Sequence, residues 1–178
     1  MKIGFDAKRA FHNFRGLGNF SRDLISGLSR YHTENEYFLF SPEFKDLRAM
    51  HWLDQYQNLN VIKPSDFWSR SFPASWRTFK VATEAQKLEL DVFHGLSHEL
   101  PQGIEKTGIK SVVTIHDLLF LRFPENFKWI DRKVYLKKIK YAIEVADIVH
   151  AICEQTKSDL INYLDCDPTK IRVVYQTC

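Results

Sequence analysis

Apolar and polar positions alternate along residues 2–7, "KIGFDA", where Ile3, Phe5 and Ala7 face away from Lys2, Gly4 and Asp6; this period of two predicts a strand. The period then changes. Leu17, Phe20, Leu24, Leu28 and Tyr31 recur at intervals of three and four, which predicts an amphipathic helix. Short apolar runs predict further strands at 36–40 ("EYFLF", closed by Ser41-Pro42), 58–63 ("NLNVIK", before Pro64), 91–95 ("DVFHG"), 110–116 ("KSVVTIH"), 147–153 ("DIVHAIC") and 170–176 ("KIRVVYQ"). Helices are expected over 43–57 and 78–89, through Trp129, Leu136, Ile139, Ile143 and Ala146, and over 154–164, where Thr156, Leu160, Ile161 and Leu164 share a face. Residues 64–80 are aromatic, show no period and are expected to be irregular.

Strands alternating with helices imply βαβ units, and hence a sheet whose two faces are both covered. The expected fold class is α/β: a three-layer, Rossmann-like domain spanning residues 1–178, with a mostly parallel, doubly wound sheet. No repeat or low-complexity tract interrupts it. The chain stops directly after a strand, at "YQTC", and so reads as cut at a domain edge. Composition narrows the class rather than the fold. With 44% apolar and 26% charged residues the chain has globular composition, and a net charge of +3 is too small to argue for nucleic acid. Cys153, Cys166 and Cys178 are an odd number in no metal-binding spacing, which suits reduced thiols in a cytoplasmic protein. Neither a signal-peptide core nor an 18-residue apolar run is present, so a soluble protein is expected.

In open parallel sheets, ligands occupy the crevice beyond the carboxyl ends of the strands. Three predicted strands lead there into chemically suggestive residues: the first into Gly16-Leu17-Gly18, the fourth into His94-Gly95 and the fifth into His116-Asp117. Two glycines at a helix start leave backbone N–H groups open to an anion. A dinucleotide fingerprint is disfavoured, because the third glycine is absent and about nine residues separate the strand from Gly16. No convincing ribose-binding acid follows the second strand, which also argues against a nicotinamide enzyme. His116 could serve a ligand or simply cap its strand. His94 and His98 have a metal ligand's spacing, but Gly95 and Pro101 oppose the helix that would align them, and no metal is expected. "DCDP" at 165–168 lies between a helix and a strand, away from the crevice, and reads as a turn. Two aromatic and basic stretches remain. In 128–141 the lysines read as a solvated helix face; in 67–80 the rings suit sugar stacking, a membrane interface or core packing.

Four stretches together resemble the N-terminal half of family-four glycosyltransferases of the GT-B architecture: "IGFDAKRA…RGLGNFSRDLISGL", "VFHGLSHELP", "VVTIHDLLFLRFPENF" and "ADIVHAICEQTKSDLINYLDCDPTKIRVVYQ". The resemblance covers nearly the whole chain. It implies an N-terminal Rossmann-like domain that binds the acceptor and faces its own C-terminal nucleotide-sugar domain, which this chain lacks. It further implies a retaining hexosyltransferase that uses a nucleotide-sugar donor without metal or other cofactor. The acceptor would be a saccharide or lipid-linked molecule, in cell-surface polysaccharide or glycan synthesis, and the enzyme would work in the cytoplasm or at the inner face of the membrane, with peripheral membrane contact. By the same resemblance His116 is the active-site histidine at the donor sugar. Gly16, Leu17 and Gly18 approach the donor diphosphate, and Asp117, His94, Ser97 and His98 line the cleft or its acceptor side. The family's paired glutamates eight residues apart have no counterpart here, so the chain alone is expected to be inactive. The alternative is a stand-alone carbohydrate- or phosphate-binding module without catalysis.

Overall fold

The computed structural model describes residues 1–176, and all seven expected strands form within them. In chain order the elements are β1 (Lys2–Asp6), α1 (Lys8–His12), α2 (Gly16–Tyr31), β2 (Glu36–Phe40), α3 (Leu47–Leu53) and β3 (Leu59–Ile62), then α4 (Phe67–Ser71), α5 (Pro73–Phe79), α6 (Val81–Lys87) and β4 (Val92–Gly95). They continue with β5 (Lys110–Ile115), α7 (Leu119–Arg122), α8 (Trp129–Val145), β6 (Ile148–Ala151), α9 (Glu154–Leu164) and β7 (Ile171–Val173). The strands make one sheet in the order β3-β2-β1-β4-β5-β6-β7, and every neighbouring pair is parallel. Growth of the sheet reverses between β3 and β4, so the topological switch lies where β1 and β4 run side by side.

Helices cover both faces, as the apolar strands require. On one face Phe11 of α1, Ile25 of α2 and Ala49 and Trp52 of α3 pack on Phe5, Tyr37 and Leu39. On the other, Trp76 of α5, Ala82 and Ala85 of α6, Ile139 and Ile143 of α8 and Leu160 of α9 pack on Phe40, Phe93, Val113, Ile115 and Val149. Each fully buried large side chain contributes roughly 1.5–3 kcal/mol of apolar burial, so these two layers clamp the sheet between them.

The helices depart from expectation at the unforeseen short α1 and α7 and, more widely, in two stretches. Over 43–57 only Leu47–Leu53 is helical: Asp46 caps it by accepting the Arg48 N–H, and the chain leaves the helix at Asp54. The stretch 64–80 is helical rather than irregular. Asp66 caps α4 through Ser69, and Pro73 then holds Phe72 out of helical geometry (φ −124°, ψ 66°), so one apolar period is split into two short helices. No periodicity survives in pieces of five and seven residues. Cys153 and Cys166 are free thiols, and Cys178 lies outside the described residues.

Candidate functional site

Strand register decides which residues reach the crevice. His94 pairs with Phe5 and with Val112, and Thr114 pairs with His150, so all of these point to the face under α2. Continuing the alternation of β5 by one step, His116 leaves the strand on that same side. At the carboxyl ends of β1, β4 and β5, directly over the switch point, lies a cavity of about 220 Å³. Arg9 after β1, Leu17 at the start of α2, Ser97, His98 and Glu99 after β4, and Asp117 after β5 line it. Phe120, Phe127, Tyr135, Lys138 and Ile139 close the remaining wall. Of the residues expected at the site, the cavity therefore gathers Leu17, Ser97, His98 and Asp117. His94, His116, Gly16 and Gly18 stand behind or beside it.

His116 is buried and tied at every polar atom. Its Nε2–H donates to the Leu96 carbonyl at 2.9 Å, which leaves Nδ1 unprotonated to accept the Gln176 side-chain amide at 2.8 Å. Its backbone N–H donates to His98 Nε2 at 3.3 Å, and its carbonyl accepts the Thr156 hydroxyl at 3.0 Å. Phe20 meets the ring edge-on at 4.9 Å and His98 stacks on it at 5.4 Å. Burial pushes the imidazole pKa below its usual value, so the ring is neutral and preoriented. Unlike a ring at the open mouth of the crevice, this one is held on both nitrogens by the surrounding fold.

Behind it runs a row of hydrogen-bonded polar groups. His150 Nε2–H donates to the Val174 carbonyl at 2.9 Å, so its Nδ1 accepts from Thr114 Oγ1 at 3.1 Å, and Thr114 Oγ1 in turn accepts from His94 Nε2–H at 2.8 Å. Burial first, and then the neighbouring His150 and His116, push the His94 pKa down to about 3. His94 is thus a framework residue that fixes its neighbours rather than one that reaches the cavity. His98 has a left-handed backbone (φ 64°) and a pKa pushed down to about 4, chiefly by burial. Asp117 is exposed, and its Oδ1 accepts the Leu119 N–H at 3.1 Å.

The two glycines of the "GLG" turn have different reasons to be there. Both occupy the first turn of α2. A methyl group on Gly18 would overlap the Asn13 carbonyl, so this position is closed by packing of α2 on the preceding turn. At Gly16 a side chain would meet nothing within 4 Å, so its space is open. Gly95 is likewise closed, because the loop 96–100 folds its Glu99 carbonyl over it.

An ion cluster at the same rim was invisible in the sequence. The Arg77 guanidinium bridges Asp6, at the end of β1, and Glu99, at 3.4 Å; Lys138 reaches Glu99 at 3.0 Å. These groups come from positions 6, 77, 99 and 138, so no local spacing could reveal them. Arg9 and Glu99 lie inside stretches already singled out, "DAKRA" and "HGLSHELP", whereas Tyr135, Lys138 and Ile139 carry no signal beyond helical spacing. Among the described residues no three His, Cys, Asp or Glu side chains converge as a metal site, and no helix is long and apolar enough to cross a membrane.

Comparison with known proteins gives two positive findings. The family described as Glycosyltransferase Family 4 matches residues 14–177. A solved structure, "Crystal Structure of Glycosyltransferase from Rickettsia africae ESF-5", is similar with a TM-score of 0.53 and 14% identity, covering 98% of this chain and 42% of that one. The present chain therefore spans well under half the length of that protein, and at such identity the likeness concerns the fold. No curated protein matches the sequence.

Proposed function

The chain belongs to glycosyltransferase family 4, and from that premise we propose that it is the acceptor-side domain of a retaining hexosyltransferase. Its donor would be a nucleotide sugar and its acceptor a saccharide or lipid-linked saccharide, in cell-surface polysaccharide or glycan synthesis. The observation that carries this reading is the cavity over the switch point, which brings Leu17, Ser97, His98 and Asp117 together from three separate strand ends. Its volume of about 220 Å³ is enough to admit a sugar ring. Aromatic walls stack on the ring's apolar face, while Ser97 and the Asp117 carboxylate bond its hydroxyls.

In this reading the donor arrives on a second domain, and the rim contributes oriented dipoles. The open space at Gly16 admits a diphosphate oxygen to the free N–H groups of the α2 start. A donor-sugar hydroxyl would take the place of the Gln176 amide at His116 Nδ1, which is an acceptor in the neutral ring. As the sugar–phosphate bond breaks, such preoriented groups stabilise charge without covalent chemistry and without a bound metal. Closure of the second domain would exclude water.

Transfer assays on residues 1–178 alone, and on the same chain joined to the sequence that follows it in its gene, test the reading. The expected result is background turnover by the first and transfer of one hexose, with the donor's anomeric configuration kept in the product, by the second. Gly16→Val in the longer chain should weaken nucleotide-sugar use while the melting temperature holds. Robust turnover by residues 1–178 alone, or tight saccharide binding without transfer in either chain, would replace the transferase half-site with an autonomous enzyme or a binding module.

A further inference from the structure

We propose that the exposed aromatic face of α4 and α5 is a two-fold interface between two copies of this chain. Phe67, Trp68 and Phe72 keep 76%, 69% and 58% of their surface exposed, although side chains of this size gain most from burial. These rings are not scattered. Phe67 meets Trp68 edge-on at 6.0 Å, and Trp68 and Phe72 lie nearly parallel, 14° apart with centroids at 6.2 Å. The rings therefore brace one another before any partner arrives. A cavity of about 320 Å³ opens beside them, lined by Trp68, Ser69, Phe72, Ser75, Trp76 and Lys80. Projecting rings and a hole on one face let that face receive its own copy, since a two-fold contact presents the same patch from both sides.

Charge, area and position identify the partner. Lys80 pairs with Asp66 at 2.9 Å and Arg77 is drawn to Asp6 and Glu99, so among the described residues only Arg70 of this stretch lacks a carboxylate. A face so nearly neutral offers little to anionic headgroups or to nucleic acid. Trp, Phe and Arg are instead the side chains enriched where proteins meet. Phe79, seven residues or two helical turns beyond Phe72, adds a fourth ring that is 59% exposed. At 150–250 Å² for a whole ring side chain, the exposed parts of the four amount to roughly 400–650 Å² per copy. Two copies then bury on the order of 1,000 Å² through the rings alone, which reaches the size of a specific contact. The face also stands apart from the crevice. It follows the edge strand β3, and its cavity shares no lining residue with the one over β1, β4 and β5. A second domain closing on that crevice leaves the α4 face open to another molecule.

Sedimentation equilibrium of this chain, alone and joined to the sequence that follows it in its gene, is the test. Both should form a dimer that dissociates on dilution through the micromolar range, as an interface near the lower size limit does. Trp68→Glu with Phe72→Glu should weaken dimerisation about a hundredfold or more, with the melting temperature of the dilute monomer unchanged because both side chains are exposed. Ser75→Trp, which fills the hole and removes no ring, should weaken it as well. A monomer at every concentration, or a dimer that survives either variant, would overturn the proposal. So would a dimer of this chain alone that becomes a monomer in the longer one, which would assign the face to the following domain.

Discussion

Residues 67–80 and 128–141 look alike on paper, each a run of aromatics interleaved with arginines or lysines, yet the fold uses their charges in opposite ways. In 67–80 two of the three cations, Arg77 and Lys80, are neutralised by carboxylates. Arg77, only 12% exposed, lies between Asp6 and Glu99, and Lys80 pairs with Asp66 at 2.9 Å. One indole, Trp76, is driven into the core and donates its N–H to Glu84. In 128–141 only Lys138 has a carboxylate partner among the described residues, and the indole, Trp129, stays in solvent. The first stretch is therefore an internal fastening that also exposes Phe67, Trp68, Phe72 and Phe79, and the second is an outward face. A basic–aromatic run predicts a surface only where no carboxylate from elsewhere in the fold meets it.

The contrast can be broken at its strongest point first. Trp76→Ala should cost about 3–5 kcal/mol of stability, because it empties the layer between α5 and the sheet, whereas Trp129→Ala should cost less than about 0.5 kcal/mol. Arg77→Ala should be nearly as damaging, on the order of 3 kcal/mol, since it strands the largely shielded Asp6 carboxylate and leaves Glu99 with Lys138 alone; Lys137→Ala should leave denaturant midpoints in place. Equal losses within either pair would erase the distinction.

Acid offers an intermediate test. His94, His98 and His116 all have folded pKa values below the ordinary histidine value, foremost through burial. As pH falls below about 6.5 the unfolded chain takes up protons that the native rim refuses, so stability should fall with acid and keep falling toward pH 4. A loss of roughly 2–4 kcal/mol between pH 7.5 and pH 5 is expected by urea titration. A flat stability profile would mean that the rim histidines are open to water.

The smallest effect belongs to Lys80→Ala. It removes an exposed pair with Asp66 while leaving that aspartate's cap on Ser69 intact, so calorimetry should barely register it. A marked drop in melting temperature would show that α4 and α5 depend on this pair, and that the first stretch is fastened at both ends.

Legibility differed by the length scale of the cause. All seven strands, the long helix after the fifth strand and the helix 154–164 were readable because strand and helix periods are local consequences of covalent geometry. The same alternation placed Gly16, His94, His98, His116 and Asp117 at strand ends or just beyond them, near a crevice. Short helices escaped because five residues hold too little of a 3.6-residue period, as α1 shows.

The amino-acid sequence by itself determined the parallel α/β order and the rim where chemistry would sit, since both follow from neighbours along the chain. Only tertiary structure decided what each rim residue does. His116 is neutral and fully bonded because Leu96 and Gln176, 20 positions before and 60 after it, converge on its two ring nitrogens. Gly18 is required by Asn13 while Gly16 stands open, a difference that no spacing of two glycines encodes. Arg77 is a fastening and Lys137 a free charge for the same reason: electrostatic partners and buried contacts act across space, between residues that the chain keeps far apart.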